Sequence, residues 1–276
     1  MNAMMLQPII PKPQLAPFIR SFWIFESHLE KDTLISRTIV PNGCAKITLP
    51  LKNSLYVKNE RLQQEHQEGK IKFVGISEEP VTIDTYDKDS GNLIVELTTQ
   101  GAYRFASFAM KDVVNMIFSF DEVFGTEGKM LQERIGNTDN VLEKAELLQQ
   151  FLLKKLTTLN HDQCIIDYTI TAIQQSHGNI SIRDLEKKTG YSKRYLSMLF
   201  HDFVGLTPKT VASIARFQYF HKLWALNPSP DFYRAELHRF YYDQAHFIKE
   251  FKRFSGLAPR QYAENDNEYG RVFYKE

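Results

Sequence analysis

The feature that most constrains this chain is an internal repeat near its C-terminus. The segment YSKRYLSMLFHDFVGLTPK, residues 191–209, lies over YDQAHFIKEFKRFSGLAPR, residues 242–260, at a constant offset of 51 positions. Tyr191 falls on Tyr242, Phe200 on Phe251, Phe203 on Phe254, Gly205-Leu206 on Gly256-Leu257, and Pro208 on Pro259. Ser192 and Asp243 open the two copies, and both are residue types whose side chains cap helix N-termini. Upstream the offset becomes 50, pairing Glu186 with Glu236, so one residue is inserted before the second long helix. Matched caps, apolar positions and Gly-Leu-x-Pro stops define a unit of short helix, tight turn and longer helix, present twice.

The pattern around the repeat extends the helical reading. DQCIIDYTITAIQQSHGN ends in a His-Gly-Asn stop. SIRDLEKKTG is a two-turn helix capped by Ser181, and TPKTVASIARFQYFHKLWALNP opens on Thr-Pro and runs about 19 residues. PDFYRAELHRF then supplies the short helix of the second unit. Upstream the period changes. From Phe18 to about Ile94, stretches such as RTIVPNGCAKITLPL, SLYVKN, IKFVGISEEPVTIDTY and GNLIVELTT read as short strands between turn residues, the pattern of a small barrel or sandwich. YRFASFAMKDVVNMIFSF fits helix and strand equally. TDNVLEKAELLQQFLLKKLTTL is a helix over 138–158, capped by Thr138 or Asp139, with a wide apolar stripe through Val141, Ala145, Leu148, Leu152 and Leu156. The expected fold is therefore α+β. A mostly-β domain with trailing helices (1–160), cupin-like if its strands close into a barrel, precedes an all-α domain (161–262) and a tail (263–276).

Charge separates the same regions. Residues 1–166 hold 18 Lys and Arg against 21 Asp and Glu, while residues 167–262 hold 14 against 8. A basic segment on a slightly acidic one points to a polyanionic partner for the second part only. At 100° per residue, Leu196, Leu199, Phe200 and Phe203 form the inward stripe of the first long helix. Lys193, Arg194, Ser197, Met198 and His201 face away. In the second, Phe247, Ile248, Phe251 and Phe254 point inward, leaving Gln244, Ala245, His246, Lys249, Lys252 and Arg253 outside. Gln pairs with adenine, Arg and Lys with guanine, and Ala or Met touch a thymine methyl. Either face alone is also what a solvated bundle presents; the pair is harder to explain that way. The intervening helix, about 28 Å long, sets the two readers roughly one DNA turn apart, at 34 Å.

Residues 165–262 resemble the DNA-binding domain of the AraC/XylS family of bacterial transcription regulators. The resemblance rests on both units and on YYDQAHFIKEFKRFSGLAPRQY, which is similar to the family's C-terminal signature Phe-Lys-x-x-x-Gly-x-x-Pro-x-x-Tyr. Residues 16–158 are more loosely similar to a family accessory domain, through LAPFIRSFW, VPNGCAKITL and GAYRFASFAMKDVVNMIF. The resemblance implies two helix-turn-helix units that place Arg194, Ser197, Met198, Gln244, Ala245 and Lys249 against bases. The face analysis adds Lys193, His201, His246 and Arg253. Lys209, Arg216 and Arg260 are candidates for phosphate contacts, as are the helix-start amides after Ser192 and Asp243. Glu186 and Glu236 replace the family's small residue, and Phe240 stands where the second turn usually has Gly, a position at which Phe disfavours positive φ.

By the same resemblance the accessory domain senses a small-molecule effector, forms a homodimer, or does both, and an activator would also meet RNA polymerase. Phe22, Trp23, Phe25, Tyr56 and Phe73 line an apolar pocket or simply fill a core. The helix at 138–158 offers its stripe for association, or docks it on the strands. An alternative reading is a DNA-binding, dimerising protein without an effector, controlled by expression or a protein partner. An enzyme is disfavoured by the lack of GxSxG, P-loop, dinucleotide and metal-spacing motifs, and no cofactor is expected. Cys44 and Cys164 form no CxxC pair, which fits a cytoplasmic chain, and no apolar run reaches the length of a membrane span.

Overall fold

The computed structural model describes residues 3–28, 35–59, 63–85, 89–106, 108–158, 160–226 and 238–264. Among these residues ten strands are formed: β1 (Ala3–Pro8), β2 (Ile19–His28), β3 (Ile35–Ile39), β4 (Ala45–Lys52), β5 (Leu55–Lys58), β6 (Gln63–His66), β7 (Lys72–Val74), β8 (Val81–Thr85), β9 (Asp89–Leu97) and β10 (Ile117–Ser119). They form a six-stranded sheet, β1-β2-β9-β4-β7-β10, and a four-stranded sheet, β3-β8-β5-β6. All described pairings are antiparallel. β1 and β10 lie outside the span that alternation marked, because each is a short edge strand with little period of its own.

Alternation gives the large sheet two different faces. Phe22, Ile24, Ile47, Leu49, Phe73, Leu93 and Val95 enter the main core. Trp23, Phe25, Thr48 and Ile94, one position out of phase, line a cavity. A register shift between Ile19 and Ser21 lets Ile19 and Phe22 both reach the core although three positions separate them.

The core face is covered by helices from the same chain. α1 (Ala102–Phe105), a 3-10 turn (Met110–Val113), α2 (Phe120–Gly136) and α3 (Val141–Lys155) follow β9, with β10 between the turn and α2. Phe120 and Phe124 of α2 pack on Phe151 of α3 at 5.2 and 5.1 Å, and Phe124 meets Phe73 of the sheet at 6.3 Å. The apolar stripe of α3, with Ala145, Leu148 and Leu152 at most 2% exposed, is thus spent on intramolecular docking and is not open for association. Its N-cap is Asn140, which accepts from the amides of Leu142 and Glu143; Thr138 instead donates to Glu143. α2 escaped the sequence reading because glycines interrupt it, and the backbone breaks from helix at Gly125.

The second half is helical: α4 (His161–Gln175), α5 (Ile182–Thr189), α6 (Lys193–Phe203), α7 (Pro208–Leu226), α8 (Gln244–Ser255) and α9 (Pro259–Glu264). Most of the expected short helix at 230–240 lies outside the described residues, which include only a helical turn at 238–240. One continuous core joins this half to the sheets. Tyr103 of α1 stacks edge-on against Phe203 at 5.7 Å, and its hydroxyl bonds the Asp167 carboxylate of α4. Burial raises the pKa of Asp167 against the opposing pull of that hydrogen bond and of Arg104. Among the described residues, no helix is long and apolar enough to cross a membrane.

Candidate nucleic-acid interface

α6 and α8 are built by the same local devices. α5 ends at Gly190, whose left-handed φ of 76° closes the turn at no Cβ penalty. Ser192 then caps α6 by accepting from the Tyr195 amide at 3.3 Å. Glu186 reaches across the turn and takes the Lys193 amide at 2.6 Å, so a carboxylate at this position stitches the two helices together. Two of the first amides of α6 are therefore already occupied, which removes them as phosphate donors. Asp243 caps α8 through the His246 amide at 2.7 Å. The second turn uses no glycine. Phe240 has no positive φ and is buried on Tyr219, with ring centroids 5.3 Å apart, so an aromatic anchor replaces the left-handed residue. Glu236 lies outside the described residues.

α8 is held by aromatic packing against α7. Phe247, Phe251 and Phe254 of α8 are fully buried, facing Phe217 and Phe220 at 4.9–5.4 Å. Each such side chain contributes roughly 1.5–3 kcal/mol of burial. α6 is held differently: Leu196, Leu199 and Phe200 are buried in the common core, and Phe203 meets Tyr103 of α1.

The opposite faces carry the expected polar residues. On α6, Lys193, Arg194, Met198 and His201 are exposed and Ser197 is half-buried. Met198, 50% exposed, belongs to the outer face and not to the core edge. On α8, Gln244, Ala245, His246, Lys249, Lys252 and Arg253 are exposed, as are Lys209 and Arg260 beyond the two helices.

Two expectations need correction, and a third residue gains a partner. Ile248 is 37% exposed, because the inward stripe of α8 is narrow and Phe247 and Phe251 fill it. Arg216 is a packing residue. It grips Glu250 of α8 through two hydrogen bonds, at 3.1 and 2.5 Å, with both side chains at least 85% buried, and it stacks on Tyr241 at 5.1 Å. Burial, then the Glu250 charge, pushes the Tyr241 hydroxyl well above its usual range. Arg253 is exposed yet paired, its guanidinium 3.0 Å from Glu78 of the sheet region.

Residues that sequence reasoning passed over also belong to this surface. Tyr242, 92% exposed, immediately precedes the α8 cap. The repeat matches it to Tyr191, which is half-buried. Lys187 and Lys188 of α5 are exposed beside α6, and only the regional charge count signalled them.

The sheet region holds a second candidate site, a cavity of about 320 Å³ between the two sheets. Trp23 and Phe25 line it, as does Tyr262 from α9. Phe22 and Phe73 face the other side of their sheet and belong to the core, and Tyr56 is not in the lining, since Leu55 and Val57 take the inward positions of β5. Trp23 Nε1, Thr48 Oγ1, His66 Nε2, Thr85 Oγ1 and Asn92 Oδ1 line the cavity without a protein hydrogen-bond partner. Burial, reinforced by the Lys72 charge, lowers the His66 pKa to about 4, so the ring is neutral at physiological pH. At the other end, burial opposes ionisation of Glu96, but Lys46 and Arg20 hold its carboxyl below the ordinary range. Cys44 beside it is buried, which pushes its thiol up. Among the described residues, no group of three or more His, Cys, Asp or Glu is placed to hold a metal ion.

Comparison with known proteins addresses the fold. Residues 7–119 match a family model described as a domain of unknown function, DUF6597. No curated protein matches the sequence. A structure of ToxT from Vibrio cholerae superposes with a TM-score of 0.52 at 10% identity, over 89% of this chain and 98% of that one. Unsaturated fatty acid-bound ToxT from strain SCE256 gives 0.48 at 13% identity, over 89% and 96%. The first of these shows that the chain has the α+β architecture of ToxT, antiparallel sheets followed by helices.

Proposed function

We propose that this chain is a sequence-specific, DNA-binding transcription regulator of the AraC/XylS type and not an enzyme. In this reading residues 161–262 form two helix-turn-helix units, and α6 and α8 read successive major grooves. Lys193, Arg194, Ser197, Met198 and His201, with Gln244, Ala245, His246, Lys249 and Arg253, are the base-facing set; Lys209 and Arg260 serve phosphates. The observation that carries the reading is the duplication itself. Cap, buried apolar stripe and exposed basic face recur in α6 and α8, on either side of the helix α7 that joins them in sequence.

Residues 1–160 form a cupin-like sensor whose cavity accepts a small-molecule effector. Apolar walls with unpartnered donors and acceptors support this over a regulator without an effector, since a buried polar atom left unpaired costs about 1–3 kcal/mol.

The test is fluorescence anisotropy of the full chain on DNA from its own upstream region across a salt series, against a random duplex of equal length. Preference of at least about a thousandfold, with a salt slope of several phosphates, is expected. Equal affinity for both duplexes, with and without small molecules that raise the melting temperature, would refute the regulator.

A further inference from the structure

The pairing of Arg253 with Glu78 belongs to a larger contact. Segment 75–81 joins β7 to β8, and its alternate residues face opposite ways. Gly75, Ser77, Glu79 and Val81 line the sheet cavity. Glu78 and Pro80, between them, meet α8: Glu78 Oε2 lies 3.0 Å from Arg253 Nη2, and Pro80 Cγ lies 3.4 Å from where a Cβ on Gly256 would stand. The same stretch is tied from behind by Asn115. Its Oδ1 accepts from the Glu78 amide at 2.9 Å and from Ser77 Oγ at 3.2 Å, and its own amide donates to Ile76 at 3.0 Å.

The turn preceding Asn115 holds α6 in turn. Lys111 pairs with Asp202 at 2.8 Å. Gly205, just past α6, packs so tightly that a Cβ would sit 2.7 Å from the Met110 carbonyl. One small platform thus touches the C-terminal ends of both candidate reading helices, and its other side is a wall of the cavity.

We propose that Glu78 is an autoinhibitory counter-charge. It pairs with the guanidinium that α8 would otherwise offer to DNA. The proposal rests on the reading of α8 as a DNA-contacting helix. Glu78 takes an Nη2 donor of Arg253 and offsets its charge, so DNA approaching that guanidinium meets a carboxylate beside it. The pair is about half exposed on the arginine side and 30% exposed on the glutamate side, so the contact is weak enough to be exchanged.

The experiment is a double-mutant cycle on the full chain, with E78Q, R253Q and the double variant measured by anisotropy on the upstream duplex at one fixed low salt. Thermal melts of each variant accompany it. Removing Glu78 is expected to tighten binding by about two- to fivefold, the range of a half-exposed ion pair. R253Q is expected to weaken binding, so that the two partners of one ion pair move affinity in opposite directions. In the R253Q background the gain from E78Q should vanish. An equal gain in both backgrounds would mean that Glu78 acts only as a general negative charge near DNA, and would overturn the latch. No gain in either background, with R253Q still weakening binding, would overturn the latch while leaving the DNA reading intact. If R253Q, K249A and R194A all bind as the parent does, the DNA reading itself fails and the latch falls with it.

Discussion

Replacing Arg216 with alanine separates the phosphate role expected from the sequence from the packing role that the structure gives it. A phosphate-binding arginine on the α7 surface would, when removed, leave the fold intact and lower the salt slope of DNA binding by about one. The structure places it elsewhere. Its guanidinium makes two hydrogen bonds to Glu250 and lies over the Tyr241 ring, with the two charged side chains only 15% and 9% exposed. Solvent screens such a pair little. Removing one partner leaves Glu250 buried, with His246 at 3.8 Å as its nearest charge partner, a situation that costs about 3–5 kcal/mol in buried pairs. Loss of the ring contact adds about 0.5–1 kcal/mol. Taking roughly 3 kcal/mol, the melting temperature should fall by about 6–12 °C. The double replacement R216M/E250L, which removes both charges and keeps the volume, should recover most of that loss. Differential scanning calorimetry of the three proteins reads the stability, and anisotropy across a salt series reads the slope. A melting temperature within about a degree of the parent, together with a salt slope reduced by about one, would show that Arg216 serves phosphate and that the packing argument is wrong.

Further outcomes follow from the same geometry. K249A and R194A should each weaken specific DNA binding by about 1–3 kcal/mol while leaving the melting temperature unchanged; binding equal to the parent's on every duplex would remove that residue from the base-facing set. G205A should destabilise the contact between α6 and the 110–114 turn by about 1–3 kcal/mol, since φ is 85° and the new Cβ would meet Met110 and Val114; an unshifted urea midpoint would contradict the close approach. His66 and His221 are held near pKa 4 by burial, with the Lys72 charge adding to the shift at His66, against an ordinary 6.5. The unfolded chain therefore takes up these protons first, so their contribution is intact above pH 6.5 and is lost as pH falls toward 4. Between pH 7 and 5 each should account for about 2 kcal/mol of lost stability. H66Q and H221Q should flatten that dependence in urea melts at the two pH values, and a parent no steeper than the variants would rule out buried neutral rings.

Local signals dictated the helical half. A helix start needs only a side-chain acceptor and a few following amides, so Ser181, Ser192 and Asp243 are legible from neighbours within four residues, and all three cap as the pattern implies. The buried stripes of α6 and α8 are similarly a matter of period, with Ile248 the one inward assignment that the packing reversed. In the sheet region, alternation marked most strands, but it cannot tell which of two buried faces looks at helices and which at a cavity. Phe22 and Trp23 read alike along the chain; only the pairing of β2 in a sheet with helices on one side sent the first to the core and the second to the cavity. The charged residues show the limit most clearly. By itself the sequence determined that a basic, duplicated helical unit follows a β-rich one, because those properties sum over neighbours. Only the tertiary structure decided that Arg216 is buried against Glu250 and Arg253 is held by Glu78, partners 34 and 175 residues away, because an ion pair depends on distance in space and leaves no period in the chain.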